Sequence, residues 1–139
     1  KILNKFISKN YKPNKNLIGN GKNIIISYGV CSEEIFRILY KSTFLQKKYK
    51  LYNFPLITKL NKSFFSRLSK KSKNLLVVED HVNKGSLSEK IKVLLYENNI
   101  KIKIISKNLG NNYFRPKKTL NELFIDYGIT KEYLINLNL

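Results

Sequence analysis

Glu79, Asp80 and His81 follow one another directly, and His81 is the only histidine of the chain. An imidazole beside a carboxylate can be oriented as a general base, and carboxylates can ligate a divalent cation. Lys84-Gly85-Ser86 comes next, before an apolar-periodic stretch. A helix starting there offers free N–H groups and its positive dipole end to an anion, with Lys84 alongside. Cys31, the single cysteine, precedes another helix-like stretch, where a thiol pKa can fall. Arg115, between Phe114 and Pro116, is one of three arginines and suits a salt link to a neighbouring domain or subunit.

Each of these has a plainer role. Adjacent residues on a strand point to opposite faces, so Glu79 and Asp80 make a poor metal pair. Capping the helix that begins near Gly85 is the expected use of one of them. No serine or cysteine is identifiable as a partner for His81. Cys31 lies beside a helix cap in a buried turn, and a lone cysteine allows neither an internal disulfide nor a Cys-based metal site. No catalytic, cofactor-binding or metal-ligating residue is therefore assigned. Glu79, Asp80, His81, Lys84, Gly85, Ser86 and Arg115 are expected to make anion or interdomain contacts.

These residues need a scaffold. Leu75-Leu76-Val77-Val78 runs straight into Glu79, as a buried parallel strand does when its loop carries polar groups to the carboxyl edge of a sheet. Asn23 to Ser27, with three consecutive isoleucines, reads as a second strand buried on both faces, ended by Gly29. Ser32 is the expected N-cap of a helix running to about Lys48, with Glu33 and Glu34 in its first turn. Lys50 to Phe54 is a strand. A short helix capped by Asn61 or Ser63 follows, with Phe64, Phe65 and Leu68 inward. Ser86 or Gly85 opens a helix with Leu87, Ile91, Leu94 and Leu95 on one face, stopped by Asn98-Asn99. Ile100 to Ile105 alternates before becoming continuous and reads as an outer strand. Lys118 to Tyr127 is a helix with Gly128 at C′, and Thr130 caps a last short helix. Strands alternating with helices imply an α/β layered domain. Lys1 to Lys22 reads as an incoming linker in which Leu17-Ile18 can pair briefly, and 23–139 as the domain. The chain opens on Lys1, and a piece of a longer polypeptide is expected.

With 139 residues, 42% of them hydrophobic, there is ample material for one core. The net charge of +18 comes from 27 Lys+Arg against 9 Asp+Glu, nearly all of the positive charge being lysine. In sequence the lysines are spread from Lys1 to Lys131 and form no block. Base-edge readout prefers arginine, and single-strand binding needs aromatics beside basic groups. The lysines read as solvated surface, so nucleic acid is not the expected partner. A basic α/β module contacting nucleic acid or an acidic protein is the alternative. No apolar run reaches the roughly 18–20 residues of a membrane span, and no signal-peptide pattern appears. One cysteine fits a cytoplasmic protein.

Three segments together resemble the C-terminal domain of transketolase-like, thiamine-diphosphate-dependent enzymes: transketolases, deoxyxylulose-phosphate synthases and the β subunits of 2-oxo acid dehydrogenases. Gly21-Lys22-Asn23-Ile24-Ile25-Ile26-Ser27-Tyr28-Gly29 is similar to the family's short basic lead, apolar strand and glycine turn. Leu75 to Leu87 is similar to its apolar strand, acid, acid, histidine and glycine-rich turn. Tyr113-Phe114, then Leu120, Leu123 and Tyr127-Gly128-Ile129-Thr130, is similar to its terminal pattern. The resemblance spans Leu17 to Leu137 in order. It departs at the turn, where Lys84 stands in a place glycine commonly takes.

The resemblance implies a three-layer α/β fold: a mostly parallel five-stranded sheet with one antiparallel edge strand and helices on both faces. It also implies a non-catalytic domain. Thiamine diphosphate and Mg2+ would belong to preceding domains, or to a separate subunit carrying them, and the parent would be a homodimer. The expected parent reaction is transfer of a two-carbon ketol unit between sugar phosphates.

Overall fold

The computed structural model describes residues 16–55, 59–108 and 119–138. Its strands are β1 (Asn16–Ile18), β2 (Asn23–Ser27), β3 (Tyr49–Asn53), β4 (Asn74–Val78) and β5 (Lys103–Lys107). The helices are α1 (Gly29–Tyr40), α2 (Thr43–Lys48), α3 (Lys62–Ser69), α4 (Leu87–Glu97), α5 (Leu120–Asp126) and α6 (Lys131–Asn136). The strands form one five-stranded sheet in the order β1-β3-β2-β4-β5. β1 runs antiparallel to β3, and every other pair is parallel. This is the expected α/β sheet with its antiparallel edge strand, and Leu17-Ile18 supplies that edge.

Alternation along the strands builds two cores. Ile25, Leu51, Leu76 and Val78 face one way, against Cys31, Ile35 and Leu39 of α1 and against Phe124, Ile129 and Leu134 from the C-terminal helices. Ile24, Ile26, Leu75 and Val77 face the other way, against Phe64, Phe65 and Leu68 of α3 and Leu87, Ile91 and Leu95 of α4. Ile25, Ile26, Leu76 and Val77 are completely buried, as strands covered on both faces must be. Each such side chain contributes roughly 1.5–3 kcal/mol. Tyr52, Phe54, Phe64 and Phe65 stack edge-to-face or tilted, with centroids 5.2–5.9 Å apart.

β3 and α5 differ from the sequence expectation by one or two residues at their ends, and three boundaries differ by more, each for a local reason. The first helix begins at Gly29, so Ser32 lies inside it and gives its hydroxyl to Asn53 Oδ1 at 2.9 Å instead of capping. Glu33 and Glu34 consequently fall beyond the first turn. The expected single helix to Lys48 is two helices, because Ser42 adopts extended backbone and accepts the Leu45 N–H to start α2. The outer strand starts at Lys103 rather than Ile100. Ile100 N–H goes to Leu95 O at 2.9 Å and Asn99 adopts φ 52°, which closes α4 in a Schellman turn. α5 ends the same way at Gly128, where Ile129 N–H meets Phe124 O.

The C-terminal helices are locked to the sheet by two neighbouring residues at the start of β3. The Lys48 ammonium donates to Leu134 O, Ile135 O and Leu137 O at 3.1, 2.7 and 2.9 Å. A cation is favoured at the negative end of a helix. Tyr49 Oη donates to Leu134 O at 2.8 Å. Burial first, then the nearby Tyr133, pushes the Tyr49 phenol from 10.0 to about 12. Its folded value lies above its unfolded one. The stability it contributes is therefore complete below about pH 10 and is lost as pH rises through 12. Tyr49→Phe should cost about 1 kcal/mol at neutral pH. It should also flatten the fall in urea midpoint between pH 10 and 12, and an unchanged alkaline slope would contradict this.

Candidate functional site at the carboxyl edge

From β2 the chain passes to β3 on one side, and β4 lies on the other. The carboxyl ends of β2 and β4 therefore flank the topological switch point, where doubly wound sheets place their ligands. Ser27, Tyr28 and Gly29 leave β2 here, and Glu79, Asp80 and His81 leave β4. The two strand ends are tied by Ser27 Oγ donating to Val78 O at 2.7 Å, while Phe54 N–H donates to Ser27 O at 2.8 Å. Glu79 N–H continues the β4–β5 ladder by donating to Lys107 O at 3.0 Å.

Glu79 is completely buried. Its Oε2 accepts the Leu87 N–H at 2.7 Å, and its Oε1 accepts the Ser88 N–H at 3.1 Å. These are first-turn donors of α4, which have no partner inside the helix. Ser86 Oγ accepts the Glu89 N–H at 3.0 Å and shares a hydrogen bond with Ser88 Oγ. The Glu89 carboxylate returns to Gly85 N–H. The carboxylates at this helix start are thus the chain's own: Glu79, held at the end of the preceding strand, and Glu89 in the first turn.

Asp80 and His81 are exposed and have no hydrogen-bond partner among the described residues. They do not form a dyad with Glu79, whose oxygens are turned into the helix start. Lys84 and Gly85 lie exposed on the turn between them. Arg115 lies outside the described residues. Asn108 Nδ2 donates to Asn83 Oδ1 at 2.7 Å, joining the end of β5 to the same turn.

Tyr28 and Cys31 sit under this edge. Burial, with Glu79, Asp80 and Cys31 adding to it, raises the Tyr28 phenol to about 12. Cys31 is fully buried, and burial followed by the charges of Asp80, Glu79 and Glu34 pushes its thiol far up. A nucleophilic cysteine needs the opposite environment. No group of three or more His, Cys, Asp or Glu side chains that could hold a metal occurs among the described residues. No helix among them is long and apolar enough to cross a membrane. The arrangement fastens a helix to the end of a strand.

Sequence reasoning reached Glu79 as one of two capping candidates. It missed Ser27, whose hydroxyl ties β2 to β4, and the Lys48–Tyr49 clasp. A serine ending an apolar strand is a faint signal for the first. Nothing local marks the second, because its partners lie 85 to 89 residues away.

Order, register and edge define a doubly wound, mostly parallel α/β domain whose switch-point loops are bonded to one another. No protein-family model matches the sequence, and no curated protein does. Among solved structures, the chain is similar to a split-gene transketolase described as an inactive β4 tetramer. The TM-score is 0.72 at 16% identity over 90% of this chain. The chain spans 41% of that protein's length. At this identity the likeness is one of fold, and it agrees with the transketolase C-terminal-like domain implied by the motifs.

Proposed function

We propose that this chain is a non-catalytic C-terminal domain of a transketolase-type enzyme. The parent transfers a two-carbon ketol unit between sugar phosphates, in the cytoplasm, with thiamine diphosphate and Mg2+ held by preceding domains or by a separate subunit. This domain supports interdomain packing and the parent's homodimer. The observation that carries the reading is the use of Glu79. In a fold shared with a split-gene transketolase, the carboxylate at the switch point is spent on the N–H groups of α4.

The described residues of this edge do not suit the cofactor. A diphosphate bound at this helix start would need the α4 N–H groups that Glu79 and Ser86 accept. No step of the reaction is assigned to them. What the edge presents outward is Asp80, His81 and Lys84, polar groups suited to an interdomain seam.

Calorimetric titration of thiamine diphosphate with Mg2+ into the chain tests this division of labour. No saturable heat is expected. Stoichiometric binding would show that the domain holds the cofactor itself and would refute the proposal.

A further inference from the structure

The charges spread along the sequence are unevenly shared between the two rims of the sheet. Parallel strands place every loop that enters them at one rim and every loop that leaves them at the other. Glu79, Asp80 and Glu89 lie on the carboxyl rim, together with Lys84 and Lys107. The opposite, amino rim collects Arg67 in the last turn of α3, Lys70, Lys71 and Lys73 before β4, and Lys101 and Lys103 where β5 begins. All six are exposed. Lys103 N–H donates to Lys73 O at 2.8 Å, so the two lysine loops are adjacent. None of the six is ion-paired among the described residues. The acid on this rim is Glu97, in the last turn of α4.

An exposed aromatic lies in the last turn of the helix that leads into this rim. Tyr96 is 87% exposed, more than the other large hydrophobic side chains among the described residues. It lies one turn from the Asn98-Asn99 stop that delivers the chain to Lys101. A half-buried aromatic could be spare core, but one this exposed packs on nothing in the chain.

We infer that the amino rim binds single-stranded nucleic acid through its phosphate backbone, without sequence preference, with Tyr96 as a stacking platform for a base. Phosphates are neutralised by lysines acting as point charges, and exposed aromatics stack any base. Lysine in place of arginine fits backbone contact rather than base readout. It also disfavours a protein partner, because lysine is depleted from the centres of protein interfaces and arginine enriched there. This inference does not depend on the transketolase-type reading, since it concerns the opposite rim.

Fluorescence anisotropy of labelled oligo(dT), about 20 nucleotides long, tests it on the chain as it is. Contact with about five phosphates predicts a loss of about 100-fold in affinity between about 50 and about 200 mM salt. The variant Lys71→Glu/Lys73→Glu/Lys101→Glu should lose tenfold or more at low salt, by about the same argument. A control with the same charge change elsewhere, Lys59→Glu/Lys62→Glu/Lys131→Glu, should lose much less. Tyr96→Ala should weaken binding by about tenfold, one lost stack, with the salt slope unchanged. Equal losses in the two triple variants would reduce the effect to net charge and overturn the inference. So would absence of binding at low salt, or rim-dependent binding to phosphatidylserine vesicles with the oligonucleotide ignored.

Discussion

Replacing Glu79 by glutamine should lower stability by about 3 kcal/mol, although the substitution changes one atom. Glu79 is completely buried and accepts two backbone N–H groups at the start of α4, one on each oxygen. Hydrogen bonds to a charged acceptor are worth about 1.5–3 kcal/mol each. Glutamine keeps one acceptor and turns an NH2 toward the other N–H, donor against donor. The lost interaction with the helix dipole adds to the effect. Glu79→Ala removes both bonds and leaves a cavity, so it should cost more, about 4 kcal/mol. Thermal unfolding should show the ranking, with Asp80→Asn, one residue on and exposed, close to the parent. Amide hydrogen exchange gives a sharper readout. In Glu79→Gln the Leu87 and Ser88 amides should exchange much faster, while those of β2 keep their order relative to the global unfolding rate. Equal acceleration everywhere, or none, would contradict the capping role.

The second large effect is expected at Gly21. A Cβ built there would stand 2.1 Å from Lys48 C, 2.2 Å from Tyr49 N and 2.3 Å from Lys48 O. All three are backbone atoms at the α2–β3 junction, so no side chain can swing away. The loop would have to lift off. Asn20 and Gly21 N–H both reach Gln46 O, at 2.9 and 3.2 Å, and satisfy the end of α2. Those bonds would be lost with it, and β1, which this loop joins to β2, would lose its register on β3. Gly21→Ala should therefore cost about 3 kcal/mol or more, at the upper end of overpacking effects. Gly85→Ala is the control. Gly85 has φ 75° but nothing within 4 Å of a Cβ, so it should bear only backbone strain, roughly 1 kcal/mol. Urea midpoints of the two variants decide the matter. Similar midpoints would mean that the loop yields easily.

These residues also show what a sequence displays. Ile24-Ile25-Ile26 and Leu75 to Val78 were legible as central strands because both faces of a parallel sheet are covered and the pattern becomes a continuous run. Ser86, Asn61 and Thr130 were legible as caps because an N-cap is a local device, set by the residue and the three that follow it. Gly21 read only as part of the incoming linker and of the lead into β2. Its reason is the backbone of residue 48, which no local pattern reports. Ser32 misled because a serine before two acids looks like a cap, whereas its hydroxyl had a tertiary partner in Asn53. At the candidate site, the acid–acid–histidine run was visible but its division was not. Orientation at a strand end decides that Glu79 turns inward and Asp80 outward, and sequence alone does not fix that orientation.

The clasp between Lys48, Tyr49 and the end of α6 carries a consequence for how the chain comes into being. It joins positions 85 to 89 residues apart, and one of its ends lies in α6 and the residue after it. What it fastens cannot settle until α6 has been made. A chain made only as far as β5 would carry a complete sheet with one face part-covered: α1 packs on Ile25, Leu51 and Leu76, while the seats of Phe124, Ile129 and Leu134 stand empty. That interval is when the domain is most open to chaperones and to self-association.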